Sequence, residues 1–155
     1  MGAFASDVND RLRKGLAERR PRFEWETEYA IGATRADIGG ESPRHLVLVE
    51  LEWRRADPAD NTAKLFRHLS EGTIEHPRVS VFQVFTGKYD LVSGGIESRR
   101  KNAEFVGRTA ADAFEELSYW PVEFEMTPPK RGGERPENWH DVSDETTDRI
   151  ASLIG

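Results

Sequence analysis

The chain has 155 residues, enough for one domain with a sizeable core. It contains no cysteine, which excludes a disulfide framework and thiolate metal sites, and His45, His68, His76 and His140 show no zinc-ligand spacing. The net charge of −6 at pH 7 argues against a protein that coats nucleic acid nonspecifically, and no apolar run is long enough to span a membrane.

The first ten residues, MGAFASDVND, lack the basic start and apolar core of a secretory signal, so a cytoplasmic location is expected. Ser6 then reads as the cap of a helix over residues 7–20, with Val8, Leu12 and Leu16 forming one apolar stripe and Pro21 as the stop. Phe23, Trp25, Thr27, Tyr29 and Ile31 alternate with Glu24, Glu26 and Glu28, the pattern of a half-buried strand whose acids face water. Gly32-Ala33 makes a turn into a short strand over residues 34–38 that carries a lone acid, Asp37. Arg35 projects to the same face as Asp37, where it pairs with an acid or touches a phosphate. Gly39-Gly40 and Ser42-Pro43 are expected to turn the chain into the next strand.

That strand, residues 45–53, is apolar enough for the middle of a sheet. Leu46, Leu48, Glu50 and Glu52 share one face, and Val47, Val49, Leu51 and Trp53 share the other. Glu50 and Glu52 are therefore neighbours, roughly 7 Å apart along the strand. Taken singly, an acid in a strand is usually a solvent-facing residue. These two interrupt a face that is otherwise leucine, and a buried carboxylate is costly unless paired or bound to a metal. Neighbouring strands lie about 4.8 Å apart, so pairing as a hairpin would bring Asp37 to the same point. Hard cations such as Mg²⁺ prefer such oxygen ligands.

Asp57 caps the following helix, with Pro58 at its first position and Gly72 at its end. Leu65, Phe66 and Leu69 form its buried side, while Asn61, Lys64 and His68 line a second face near the exit of the Glu50 strand. A third apolar strand over residues 79–85 contains Gln83, which needs a hydrogen-bond partner, either structural or a ligand. A helix is expected over residues 97–117, with the stripe Val106, Ala110, Ala113, Phe114 and Leu117. Its first turn holds Arg99, Arg100 and Lys101, which opposes the helix dipole; either an anion docks there or the turn belongs to a loop. A last strand spans residues 119–126, with Val122, Phe124 and Met126 inward. Residues 127–142 are rich in Pro and Gly and read as loop, and Ser143 caps a short terminal helix that packs on the core or on a partner. The division expected is a core of residues 1–127 and an appended loop and helix of residues 128–155.

The order strand with Asp37, turn, apolar strand with Glu50-Leu51-Glu52, then helix resembles the PD-(D/E)xK nuclease superfamily, which includes many restriction endonucleases. Asp37 matches the first acid and Glu50 the second. Position 52 departs, since the pattern usually has lysine where this chain has Glu52, although some members carry glutamate. In others a lysine on the following helix takes the role, and Lys64 is the matching residue. Some members also place an acid on the first helix, where Glu18 is the candidate.

The resemblance implies an α/β (α+β) restriction endonuclease-like core of three layers, with a mixed central sheet flanked by helices. It implies a DNA endonuclease that hydrolyses phosphodiester bonds with Mg²⁺ or Mn²⁺, with Asp37 and Glu50 as metal ligands and Glu52 or Lys64 orienting water. A homodimer is implied for cutting both strands. Arg35, Asn61, Arg99, Arg100 and Lys101 are the candidates for nucleic-acid contact, and Arg54-Arg55 and Lys130-Arg131 are further basic clusters, each also consistent with solvated surface. The alternative is a non-catalytic domain of the same fold that binds nucleic acid or protein; Glu52 in place of lysine and the net negative charge favour it.

Overall fold

A computed structural model describes residues 1–155. Four helices, α1 (Ala3–Arg19), α2 (Pro58–Glu71), α3 (Ser98–Ala113) and α4 (Trp139–Ile154), enclose five strands: β1 (Glu24–Ile31), β2 (Thr34–Glu41), β3 (His45–Glu52), β4 (Arg78–Thr86) and β5 (Leu117–Phe124). The strands form one mixed sheet in sequence order. β1, β2 and β3 are an antiparallel meander, whereas β4 and β5 run parallel to β3. The parallel pairs follow from the connections, because a helix between two strands returns the chain to the same end of the sheet.

The result is a three-layer α/β fold. Val8, Leu12 and Leu16 of α1 and Ile150 and Ile154 of α4 pack on one face, against Val47, Val49 and Leu51. Leu65, Phe66 and Leu69 of α2 and Ala110 of α3 pack on the other, against Leu46, Leu48, Val79 and Val81. With helices on both sides, every residue of β3 is buried, Glu50 and Glu52 included. The terminal helix α4 is part of this core, since Ile150 and Ile154 are fully buried beside α1. No helix is long and apolar enough to cross a membrane.

Several boundaries differ from the sequence expectation. α1 starts at Ala3 with Gly2 as its cap, and the Ser6 amide is already bonded to the Gly2 carbonyl. α3 ends at Ala113 and buries Arg100, Ala103, Gly107 and Ala110; position 107 is glycine because the Tyr119 ring of β5 lies where its side chain would stand. α4 starts at Trp139, so Ser143 lies inside it, bonded to the Trp139 carbonyl. Gly39 and Gly40 belong to β2 instead of to a turn. A Cβ on Gly39 would lie 2.2 Å from Tyr29 Cγ, and one on Gly40 would lie 2.5 Å from the Trp25 ring. The two glycines thus let the β1 aromatics fold flat across β2.

Exposure in β1 alternates as expected, with Glu24, Glu26 and Glu28 exposed and Trp25, Thr27 and Tyr29 half-buried, but the side of the sheet on which the inward residues pack changes in both β1 and β2. Trp25 and Ile38 face the α1/α4 core, whereas Tyr29 and Ala36 face the α2/α3 core. Residues two or four apart on a regular strand share a face, so both strands reverse between these positions. The reversal sits at Glu28 and Asp37, the opposed positions that the register from Thr27↔Ile38 to Tyr29↔Ala36 leaves unpaired. Glu28 has φ 52°, the only non-glycine residue with positive φ. Such conformations are uncommon and costly for a residue with a side chain.

The glycine packing is testable. Gly39→Ala should lower stability by ~1–3 kcal/mol through overpacking, and Tyr29→Ala should return part of that loss. Urea midpoints of the two single variants and the double variant measure the coupling, and simple additivity would contradict the packing described.

Candidate active site

The reversal in β2 creates the site. Its pairing with β3 runs from Glu41↔Leu46 to Ile38↔Val49 and goes no further. Beyond that point β3 keeps its parallel partner β4 through Glu52↔Phe85 but has lost β2. A buried amide needs an acceptor, and the Asp37 carboxylate supplies it: Oδ2 accepts from the Leu51 N–H at 2.8 Å. The Asn9 side chain of α1 donates to the Asp37 carbonyl at 3.0 Å and fixes the backbone at the kink.

Glu50 and Glu52 point toward α2, as the alternation of β3 requires, and both are fully buried. Asn61 clamps them. Its Nδ2 donates to Glu50 Oε2 at 2.9 Å and to Glu52 Oε1 at 2.7 Å, while its Oδ1 accepts from Arg55 Nη1 at 3.0 Å. Asn61 holds this position because Asp57 caps α2 three residues before Asp60, with Pro58 opening the first turn. Gln83 of β4 donates to Glu52 Oε2 and to the Pro58 carbonyl, both at 2.8 Å, and its own carbonyl accepts from the Tyr119 hydroxyl at 2.7 Å. Gln83 is therefore a satisfied structural residue that fixes Glu52.

Two cations balance the acids. Lys64 Nζ lies 3.7 Å from Glu50 Oε1 and donates to the Arg35 carbonyl at 3.1 Å. The Arg55 guanidinium lies 3.7 Å from both Asp37 Oδ1 and Glu52 Oε1 and is half exposed at the rim. No N–H reaches Asp37 Oδ1, which has only the long contact to Arg55, or the buried Glu50 Oε1, and the Asp37 and Glu50 carboxyls lie close enough to share a hydrogen bond through the Glu50 proton. Burial first, then the charge of Asp37, pushes the Glu50 carboxyl well above the ordinary range, against the pull of Lys64. Burial also pushes Glu52 up to about 7, opposed by the hydrogen bonds from Gln83 and Asn61 and by the charge of Arg55.

The structure thus brings Asp37, Glu50, Glu52, Asn61 and Lys64 together. Asn61 is a buried clamp with no exposed surface for nucleic acid. Arg100 is also removed from the surface: it is buried, bonded to Glu104 at 2.8 Å and Glu123 at 2.7 Å, and stacked over the Phe85 ring. Its charge at the start of α3 is answered by these acids. Arg99 pairs with Glu97 at 2.5 Å, Lys101 is exposed, and Arg35 is exposed and donates to the Glu28 carbonyl. Glu18 on α1 makes no hydrogen bond or ion pair with the cluster. The sequence marks Arg55 only as half of a basic pair and gives Asn9 and Tyr119 no role at the site. A polar Asn9 beside Val8 on an otherwise apolar face was the one available signal.

No group of three or more His, Cys, Asp or Glu side chains is arranged to hold a metal ion. Asp37 and Glu50 nevertheless form a close acid pair in which no N–H reaches Asp37 Oδ1 or Glu50 Oε1, a donor set that would suit a hard cation in place of the shared proton. No protein-family model matches the chain, and no curated protein matches it.

The buried acid gives a signed pH dependence. Glu50 holds its proton to higher pH when folded than when unfolded, where the ordinary value is 4.5. Its contribution to stability is therefore full below about 4.5 and lost as pH rises through the folded value. In chelator at pH 8, Glu50→Gln should be more stable than wild type by ~1–3 kcal/mol, the cost of an unsatisfied buried group. The gap should close toward pH 5. Urea titrations of both proteins across this range provide the check, and a gap independent of pH would exclude the buried-acid account.

Proposed function

We propose that this chain is a divalent-metal-dependent DNA endonuclease with a restriction endonuclease-like core. The observation that carries the reading is the acid pair Asp37 and Glu50, close enough to share a proton and held where β2 leaves β3, with the Lys64 ammonium beside it. The order of helix, three-strand meander, helix and parallel strand supports the same superfamily resemblance.

Asp37 and Glu50 are the residues that would hold Mg²⁺ or Mn²⁺. When bound, the ion would polarise the scissile phosphate and stabilise the leaving oxygen. Burial of Glu50 and the charge of Asp37 make ionising both acids unfavourable without a cation, so proton release from Glu50 is coupled to metal binding. Lys64 is the residue suited to orient the attacking water, because its Nζ faces Glu50 Oε1 from α2. Glu52 is less suited to that task, since both its oxygens are held by Asn61 and Gln83 in a fully buried site. Glu52 instead positions Asn61, which positions Glu50.

A second reading has its own support. Arg55 and Lys64 already face all three acids, so the cluster is charge-compensated without a metal. A non-catalytic nucleic-acid-binding or protein-binding domain would need no more than this.

Nicking of supercoiled plasmid separates the two. Wild type should cleave in Mg²⁺ or Mn²⁺ and not in chelator. Asp37→Asn and Lys64→Ala should each lose at least about a hundredfold in rate, comparable to loss of one electrostatic stabiliser of a transition state, with unchanged circular dichroism. Cleavage by Asp37→Asn at the wild-type rate, or gel-shift binding by a wild type that never cleaves, would defeat the endonuclease reading.

A further inference from the structure

A groove of about 920 Å³ opens between the N-terminus of α1, the end of β3 and the loop of residues 129–135. Five cations line it, Arg54, Arg55, Lys130, Arg131 and Arg135, and no acidic residue does. For a chain of net charge −6 this is a marked local concentration of positive charge. Lys130 and Arg131 are exposed and form no ion pair.

The walls are tied in place. Arg54 donates to the Pro129 carbonyl and holds the loop to the end of β3. Arg135 pairs with Asp7 of α1 at 2.7 Å and stacks 4.6 Å over the Phe4 ring. The floor is apolar, made by the half-buried Phe4 and Trp53 over the fully buried Leu51. Phe4 and Trp53 meet edge to face at 5.0 Å, so the floor is a packed aromatic surface.

The groove and the acid cluster share two residues. Leu51 lines the groove, while its amide is the one bonded to Asp37. Arg55 lines the groove and also faces Asp37 and Glu52. The groove lies on the α1/α4 side of β3 with Leu51 and Trp53, whereas Glu50 and Glu52 project from the other side toward α2, so the Arg55 side chain is what joins the two.

We propose that this groove binds a single nucleic-acid strand. Cations spaced along a channel with an aromatic floor suit a phosphate backbone whose bases are free to rest on the rings. A duplex keeps its bases stacked inside, and its two backbones, separated by a major groove about 12 Å wide, do not both enter a pocket at the upper end of the ~300–1,000 Å³ range of ligand sites. The purpose of the groove rests on the endonuclease reading, but its occupancy by a strand does not.

The test is fluorescence anisotropy of labelled oligo(dT) and of a labelled duplex of equal length, both in chelator so that no cleavage intervenes. Wild type should bind the single strand at least about tenfold more tightly than the duplex. The double variant Lys130→Ala/Arg131→Ala should bind oligo(dT) about tenfold more weakly at 50 mM salt. Its salt slope should fall by about 1.4, since each single-strand phosphate that is no longer neutralised removes ~0.7. Circular dichroism and the thermal midpoint should not change, because both residues lie on an exposed loop.

Equal binding of strand and duplex, unchanged binding by the double variant, or retention on anionic phospholipid vesicles without oligonucleotide binding would each overturn the proposal. Strand binding by a wild type that never cleaves would support the groove and remove the endonuclease reading. Cleavage that is indifferent to Lys130 and Arg131 would do the reverse.

Discussion

The site depends on one hydrogen bond, from the Leu51 amide to the Asp37 carboxylate. It exists because β2 departs from β3 inside the protein, where a backbone donor left without an acceptor costs ~1–3 kcal/mol. A neutral side chain of similar size could fill the gap, but aspartate fills it with a charge. That charge lies next to Glu50, whose position on a fully buried strand leaves it no water. The clamp by Asn61, the bracing of Glu52 by Gln83 and Tyr119, and the approach of Arg55 and Lys64 all answer that single placement.

Arg100 offers a comparison within the same molecule. It too is a buried charge, and it is met by Glu104 and Glu123 at short distance and by the face of Phe85. Its Nη1 is buried without a hydrogen bond, 3.9 Å from Asp90, and the group behaves as a structural pin between α3 and β5. The Asp37–Glu50 cluster differs, because its cations stand off at 3.7 Å and no N–H reaches two of its oxygens. A protein gains no stability from leaving buried acids in that condition. The two clusters differ in sign: the buried excess at Arg100 is positive and answered by acids, whereas at Asp37 and Glu50 it is negative.

The strain at Glu28 belongs to the same feature. It faces Asp37 across β1 and β2, and the two strands exchange faces at that point. Without the reversal the Asp37 side chain would project squarely into one helical layer. With it, the carboxylate reaches the Leu51 amide at the edge of β3. Gly39 and Gly40, by admitting the aromatics of β1 across β2, keep the two strands in register on the far side of the kink.

Much of this was legible in the residues themselves. The apolar run of β3 declared a central strand, its period of two put Glu50 and Glu52 on one face, and Asp57-Pro58 and Gly72 bracketed α2 with Lys64 directed at them. Those are local signals, set by backbone period, capping and the cost of burying charge. The face reversal in β1 and β2, the inclusion of Gly39-Gly40 in a strand, the burial of Asn61 and Arg100, and the groove shared by Arg54 and the loop carrying Lys130 were settled only by the tertiary structure. Each depends on which distant group lies opposite, whether an aromatic ring over a glycine, an acid against an arginine or a loop folded back on a strand, and a single residue's own chemistry does not record its partner.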